Sequence, residues 1–315
     1  MKQTYLVTGG AGFIGSHLCD SILARTEGSI LCIDNFLTGN KSNIEHLLAN
    51  DRFEFIEADV IEASLPEKKV DVIIHLASPA SPPWYQRYPV ETLLVNTIAT
   101  HKLLEKAKSD GARFLYASTS EVYGDPLIHP QTEEYWGNVN SVGPRSCYDE
   151  AKRCGEAFVM AYIRKFSIDA RIIRIFNTYG PRMDKDDGRV VSNFVTQAIE
   201  GKALTIYGDG NQTRSFCYVT DLVDGLISMV QNDAIQGEVI NIGNPNEITV
   251  NDLAQIVAKQ FNISVNTIYT DLPIDDPTRR KPSIEKAKRL LNWEPKVSIE
   301  DGLDKTIAYF KEIMK

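Results

Sequence analysis

At 315 residues the chain is long enough to bury a full core and to hold two domains, or one large domain with a lobe. Its hydrophobic fraction of 43% and charged fraction of 24% are those of a globular protein. A net charge of −8 argues against a nucleic-acid or anionic-membrane surface, and no run approaches the roughly 20 apolar residues of a membrane span.

The chain opens on a strand, "TYLVTGG", which in this reading leaves no room for a signal or transit peptide. A helix, "FIGSHLCDSILAR", and a second strand, "SILCIDN", follow, and then the strands "FEFIEAD", "DVIIHLAS", "RFLYAST" and "IDARIIRIFN". Between these strands, residues 90–109 and 148–166 carry apolar positions at helical spacing. Strands that are apolar throughout are buried on both faces, which predicts a parallel sheet covered by helices. The expected fold is α/β, a doubly wound parallel (Rossmann) sheet with a smaller C-terminal substrate-binding lobe. Residues 1–180 form the sheet domain and 181–315 mainly the lobe, where the composition turns to Gly, Asn, Asp and Arg. Later segments near 215–245 return to the sheet, and "EVINIGN" is one further strand of it. Helices are expected in the lobe near 190–200, 221–231, 250–260 and 284–291.

The five cysteines form no C-x-x-C pair and suit reduced thiols in a cytoplasmic protein. The five histidines show no metal-ligand spacing, so no metal is expected, and His75 reads as a packed strand residue.

Chemistry enters at "VTGGAGFIGSHL", which contains Gly10-x-Gly12-x-x-Gly15 with Gly9 before it. A lone glycine motif of this kind is weak. Here a strand precedes it, a helix follows, and the next strand ends at Asp34, about 20 residues on, which is the arrangement of a dinucleotide site. The pyrophosphate would lie at the helix N-terminus. Asp34 would hold a ribose diol and repel a 2′-phosphate, and Asn35 and Phe36 rather than an arginine come next, so NAD is expected over NADP. Asp59 and Val60, at the end of a strand, would flank the adenine.

A second group of residues surrounds "FLYASTSEVYGD". Its strand stops at Ser118, Thr119 and Ser120 and is followed at once by Glu121, at the sheet edge where such folds keep their active sites. One loop later Tyr148 and Lys152 stand four apart in "SCYDEAKR" and share a helix face. A lysine ammonium and a nicotinamide cation both favour phenolate, so Thr119 or Ser120 with Tyr148 and Lys152 can take a proton from an alcohol as NAD takes hydride. The cations that an anionic substrate needs are concentrated in lobe loops: Arg182, Arg189, Arg214, Arg279, Arg280 and Lys281.

With these motifs the chain resembles the extended short-chain dehydrogenase/reductase family, through "TGGAGFIG", "YDEAK" and "LLNWEPKVSIEDGL". Within it the chain looks closely like the UDP-glucuronate decarboxylases, through "HLASPASPPWYQRYP", "STSEVYGDP", "GPRSCYDEAKR", "IFNTYGPRM", "YGDGNQTRSFCYV" and "DDPTRRKPSIEKAK". The resemblance implies NAD-dependent decarboxylation of UDP-glucuronate to UDP-xylose, through C4 oxidation, loss of carbon dioxide and C4 re-reduction. It implies catalytic roles for Tyr148, Lys152, Thr119, Ser120, Glu121 and Arg280. Substrate contacts are expected from Tyr85, Asn177, Arg189, Val190, Asn193, Tyr207, Gln212, Arg214 and Arg280. Cofactor contacts are expected from Gly9, Gly12, Phe13, Ile14, Gly15, Asp34, Asn35, Phe36, Thr38 and Gly39, then from Asp59, Val60, Leu76, Ser78, Tyr148 and Lys152. A homodimer through the helices at 90–109 and 148–166 is the family expectation. The rival on the same scaffold is a nucleotide-sugar 4-epimerase or 4,6-dehydratase, and from another class a dinucleotide-binding protein without catalysis.

Overall fold

The computed structural model of the chain describes residues 2–315. Its first half alternates strands and helices: β1 (Thr4–Thr8), α1 (Phe13–Arg25), β2 (Ser29–Asp34), β3 (Phe53–Glu57), β4 (Val72–His75). Then follow α2 (Pro82–Arg87), α3 (Pro89–Leu94), α4 (Thr100–Asp110), β5 (Arg113–Thr119), α5 (Ser146–Phe166) and β6 (Ala170–Ile175). The helix expected over 90–109 is not continuous, because a π-helical turn, Val95–Ala99, separates α3 from α4. Each extra residue in such a turn rotates the helix face, and here Val95, Asn96 and Ala99 are turned into the core.

The second half carries β7 (Thr178–Tyr179), α6 (Val190–Ile199), β8 (Leu204–Tyr207), β9 (Thr213–Ser215), β10 (Cys217–Tyr218), α7 (Val219–Gln231) and β11 (Val239–Ile242). It ends with β12 (Glu247–Thr249), α8 (Val250–Gln260), β13 (Thr267–Thr270), β14 (Arg279–Arg280), α9 (Glu285–Leu291) and α10 (Ile299–Ile313). The sequence reading does not anticipate α10, although Ser298 caps it by accepting from Asp301 N, a legible start signal.

Seven parallel strands form the main sheet in the order β11-β6-β5-β4-β1-β2-β3. The strand order reverses between β4 and β1, and the crevice above that point is where this topology binds ligands. Alternate residues feed opposite faces, as a strand's twofold period requires. Val7, Ile74 and Leu115 join the core beneath α1 and α7, while Leu6, Ile73 and Phe114 join the one beneath α4 and α5. With both faces covered, nearly every residue of β1, β4 and β5 is buried, which explains their continuous apolar runs.

The lobe strands are short and make small sheets. In one of them β9 pairs with β12 on one side and with β14 on the other. The β9–β14 register sets Arg280 beside Arg214, which brings two cations from distant parts of the chain side by side.

Candidate active site

A single cavity of about 960 Å³ runs from the glycine turn after β1 to the loops of the lobe. At its sheet end, Gly9 has φ +76°, and a Cβ there would sit 2.6 Å from Ala77 N. At Gly15 a Cβ would lie 2.1 Å from the Gly9 carbonyl, so only glycine lets α1 pack so tightly on the turn. Gly12, Phe13 and Ile14 at the start of α1 line the same wall. Asp34 is buried, and its two oxygens accept from Ala11 N at 2.9 Å and Phe36 N at 2.8 Å. Burial raises its pKa while those backbone amides oppose the rise. Each oxygen keeps a lone pair for a ribose hydroxyl. Asn35 donates to Asp59 at 3.0 Å, and Asp59, Val60, Thr38 and Gly39 line the cavity beside them.

Phe36 departs from the expectation. It does not line the cavity; its ring packs on Phe55 with centroids 5.1 Å apart, and Leu37 faces the cavity in its place. The φ of +57° at Phe36 turns the chain after Asp34 and directs that ring to the core. Leu76 and Ser78 line the floor after β4. His75 below them is fully buried, bonded to Thr8 Oγ1 at 2.7 Å and to the Val95 carbonyl at 3.1 Å. Burial first, and Lys152 second, push its pKa down to about 3, so it is a neutral core residue.

Tyr148 and Lys152, on the first turns of α5, face the cavity beside Thr119 and Ser120 at the end of β5. Thr119 also accepts from Glu121 N, starting the 3-10 turn Ser120–Tyr123 that aims Glu121 into the same space. Lys152 Nζ donates to the Ala117 carbonyl at 2.7 Å. Tyr85 of α2 stacks on Tyr148, with centroids 5.1 Å apart and planes 4° off parallel. The electrostatics differ from the sequence expectation. Burial raises the Tyr148 phenol above its usual value, and the Thr119 hydroxyl only partly offsets this. Burial likewise brings Lys152 down to about 7 against a smaller opposing pull from Glu156. A buried lysine near its titration point is a weaker support for phenolate than a full ammonium, so a bound nicotinamide cation would have to supply more of that support.

Glu121 is an ion-pair centre. Both its oxygens receive Arg280, through a close Nη1 contact to Oε1 and Nη2 to Oε2 at 2.9 Å, and Arg145 Nη2 adds a bond to Oε2 at 2.5 Å. Burial alone would raise this carboxyl, but Arg280 and then Arg145 override it and hold it at about 2. Arg280 is 3% exposed and its Nε has no partner among the described residues, which leaves a donor free beside the cavity. Arg214 pairs with Asp276 at 2.8 Å, and Asp276 also meets Arg145 at 3.3 Å. Arg189 is clamped by Asp187 at 2.5 Å, and Asn193 donates to the Gly188 carbonyl at 3.0 Å. Asn177, Val190, Tyr207 and Gln212 complete this end of the lining.

Two of the expected loop cations are corrected: Arg279 is exposed and Lys281 is half-buried, and neither lines the cavity. The two-residue strand β14 puts Arg280 inward and so turns both neighbours away. Arg182 lines the cavity but is paired with Asp20 at 2.7 Å. Arg145, Asp276 and Asp187 are site residues that the sequence reading misses. The signal for Arg145 lies three residues before Tyr148 in "GPRSCYDEAKR", where the turn before α5 must carry it to the same cavity.

Residues 5–243 match the model of the NAD dependent epimerase/dehydratase family. "UDP-glucuronic acid decarboxylase 1" of Arabidopsis thaliana is 53% identical over 97% of this chain and 69% of its own length. The Xenopus tropicalis protein of the same name is 50% identical over 99% of this chain and 73% of its own. Among solved structures, UDP-glucuronic acid 4-epimerase from Bacillus cereus, in complex with UDP-glucuronic acid and NAD, aligns with a TM-score of 0.90 at 33% identity. That alignment covers 98% of this chain and 99% of the epimerase. The chain belongs to the NAD dependent epimerase/dehydratase family of extended short-chain dehydrogenases/reductases, among relatives that are UDP-glucuronic acid decarboxylases.

Proposed function

We propose that the chain is an NAD-dependent UDP-glucuronate decarboxylase, a carboxy-lyase that yields UDP-xylose and carbon dioxide. One observation carries the choice of a uronate: Arg145 and Arg280 both hydrogen-bond to Glu121 while Arg214 is matched by Asp276, so two guanidiniums on one carboxylate leave one positive charge among these five groups, beside Tyr148. A substrate carboxylate neutralises that charge, whereas a neutral hexose would leave it buried and unpaired. Relatives at 50–53% identity named as decarboxylases support the same reading.

The glycine turn, with no room for a Cβ at Gly9 or Gly15, and Asp34 with its free lone pairs fit NAD. When bound, NAD accepts hydride from C4 of the sugar and returns it at the end of the cycle. In our assignment Tyr148 takes the C4 hydroxyl proton, Thr119 or Ser120 holds that oxygen, and Lys152 orients the ribose and supports the phenol. A 4-keto group is β to the carboxylate and receives the electron pair as carbon dioxide leaves, so the sugar is its own electron sink. The enolate is protonated at C5, and Tyr148 returns its proton to O4 on re-reduction. Atoms balance with one proton taken from solvent per turnover.

Arg280 positions the carboxylate through its free Nε rather than stabilising it throughout, since equal pairing in ground and transition states would not speed the step. Glu121 keeps both arginines from pairing too strongly with the substrate. Arg214, Arg189, Asn177, Val190, Asn193, Tyr207 and Gln212 are assigned to the nucleotide diphosphate, and Tyr85 to holding the sugar against Tyr148.

Val90, Leu93, Leu94, Ile98 and Phe166 are exposed apolar residues of the α3–α5 region, and they support a homodimer through it. Five unpaired thiols suit a reducing compartment, and cytoplasm is our reading. No helix among the described residues is long and apolar enough to cross a membrane. Incubation with UDP-glucuronate without added NAD tests the activity: UDP-xylose and carbon dioxide are expected, and an epimerised uronic acid alone would favour the 4-epimerase reading.

A further inference from the structure

Asp149 follows Tyr148 on the first turn of α5, and its side chain belongs to no role assigned above. It is 5% exposed, and its Oδ1 has no hydrogen-bond donor among the described residues. The nearest cation to Oδ2 is Arg145, whose Nε lies 3.9 Å away, beyond hydrogen-bond reach. Arg145 instead directs Nη2 to Glu121 at 2.5 Å and Nη1 to Asp276 at 3.3 Å. An ionised carboxylate buried without donors is strongly unfavourable, so the form that fits this pocket is the neutral acid.

A second, smaller cavity of about 200 Å³ lies against the same side chain. Arg145 lines both cavities, whereas Asp149 lines only the small one. The small cavity is polar and large enough for water, and so supplies a path for proton exchange that does not pass through the substrate.

We propose that Asp149 is a positioning residue that carries a proton in the working enzyme, reserving Arg145 for Glu121, and that its ionisation weakens capture of the anionic sugar nucleotide. This rests on the reading of the large cavity as a uronate site. With Asp149 neutral, the cluster of Arg145, Arg214 and Arg280 against Glu121 and Asp276 holds one positive charge. Ionised Asp149 adds a third carboxylate, leaves the cluster with no net charge and offers Arg145 a competing partner.

The groups facing Asp149 come from every element around it. Arg145, Cys147, Tyr148 and Glu150 lie on or next to its own helix, Glu121 on the turn after β5, Arg280 on β14, and Tyr85 on α2. Asp125 and Asp275 line the small cavity, and Asp276 shares Arg145. Burial first, then the charge of Glu121, push the Asp149 carboxyl up to about 8, while Arg145 and Arg280 pull the other way. The charge change therefore falls within a range that a rate profile reaches.

A bound substrate carboxylate or diphosphate raises the proton affinity of Asp149 further, because like charges disfavour ionisation. The effect thus belongs to the free enzyme and appears in kcat/KM more than in kcat. The test is kcat/KM for UDP-glucuronate from pH 6 to 10, in the unaltered enzyme and in Asp149→Asn, which mimics the protonated acid. The unaltered enzyme is expected to lose about tenfold per pH unit above a midpoint near 8. In Asp149→Asn the Asp149 component disappears and the profile falls less steeply above about pH 8, whereas any limb from Lys152 or Tyr148 is common to both proteins. Asp149→Ser, a smaller neutral side chain, serves the same comparison where the amide does not fold. An identical alkaline limb in the neutral variant overturns the proposal while leaving the decarboxylase reading intact. No turnover of UDP-glucuronate by the unaltered enzyme overturns both.

Discussion

Arg280 and Glu121, 159 residues apart in the chain, meet in a two-pronged ion pair at the edge of the cavity. A glutamate next to a substrate carboxylate is unfavourable by itself, and this pairing removes the difficulty. Glu121 faces two guanidiniums, and in the proposed function it acts on the substrate through the charge they have left.

Replacing that carboxylate by an amide of the same shape separates binding from chemistry. Glu121→Gln raises the positive charge of the cluster from one to two, so the uronate binds more tightly in its ground state. We expect KM to fall, C4 oxidation to continue, and kcat for UDP-xylose to drop about 10- to 1,000-fold. Single-turnover absorbance of reduced nicotinamide, with product analysis, reads both steps. Unchanged kcat would reduce Glu121 to a structural residue.

Arg280→Ala leaves buried Glu121 with Arg145 alone. Truncating one partner of a buried pair costs about 3–5 kcal/mol, so a lower melting temperature should accompany the loss of decarboxylation. Arg280→Lys restores charge without the two-pronged geometry, and should recover stability more than rate. Denaturant melts and initial rates on both variants check this. Normal decarboxylation by Arg280→Ala at saturating substrate would remove the arginine from the mechanism.

Much of this was legible before any coordinates. The strands from β1 to β6 announce themselves because a parallel sheet covered on both faces needs apolar residues at every position. Tyr148, Lys152 and Thr119 lie close in sequence, and the order of elements alone brings them to one sheet edge. Arg145 carried a signal in its place three residues before Tyr148, but Asp187 and Asp276 were not legible, because their meaning depends on which guanidinium another loop delivers. The strand β14 has only two residues, too few for any periodicity, yet its pairing with β9 is what sets Arg280 beside Arg214. The π-helical turn before α4 also escapes a helical pattern, since it adds a residue without changing composition.

Lys152 gives a stability test with a definite sign. Its pKa in the folded protein is near 7, below the ordinary lysine value, so between about pH 7 and 10.5 the unfolded chain binds more protons. The cost of burying the charge is therefore fully present below pH 7 and is relieved as pH rises toward 10.5. With cofactor removed, Lys152→Met should be more stable than the unaltered protein by ~2–5 kcal/mol near pH 6, and the difference should shrink by pH 10. Melts across that range check it, and a constant difference would contradict the buried, depressed lysine.

In the proposed function Asp34 carries the choice of cofactor. Asp34→Ala removes the acceptor for the ribose diol and the charge that repels a 2′-phosphate. NAD affinity should fall about 10- to 100-fold, with most of the preference over NADP lost. Equilibrium binding of both cofactors measures it, and unaltered selectivity would move the determinant to Asn35 or the loop after it.

In the proposed reaction the sugar loses its own carboxylate after oxidation at C4 and takes its proton from solvent. This is tested by supplying UDP-glucuronate labelled with carbon-13 at C6 in deuterium oxide, with no added NAD. Labelled carbon dioxide and UDP-xylose carrying one deuterium at C5 are expected. Label retained in a uronic acid inverted at C4, with no carbon dioxide released, would contradict this reaction.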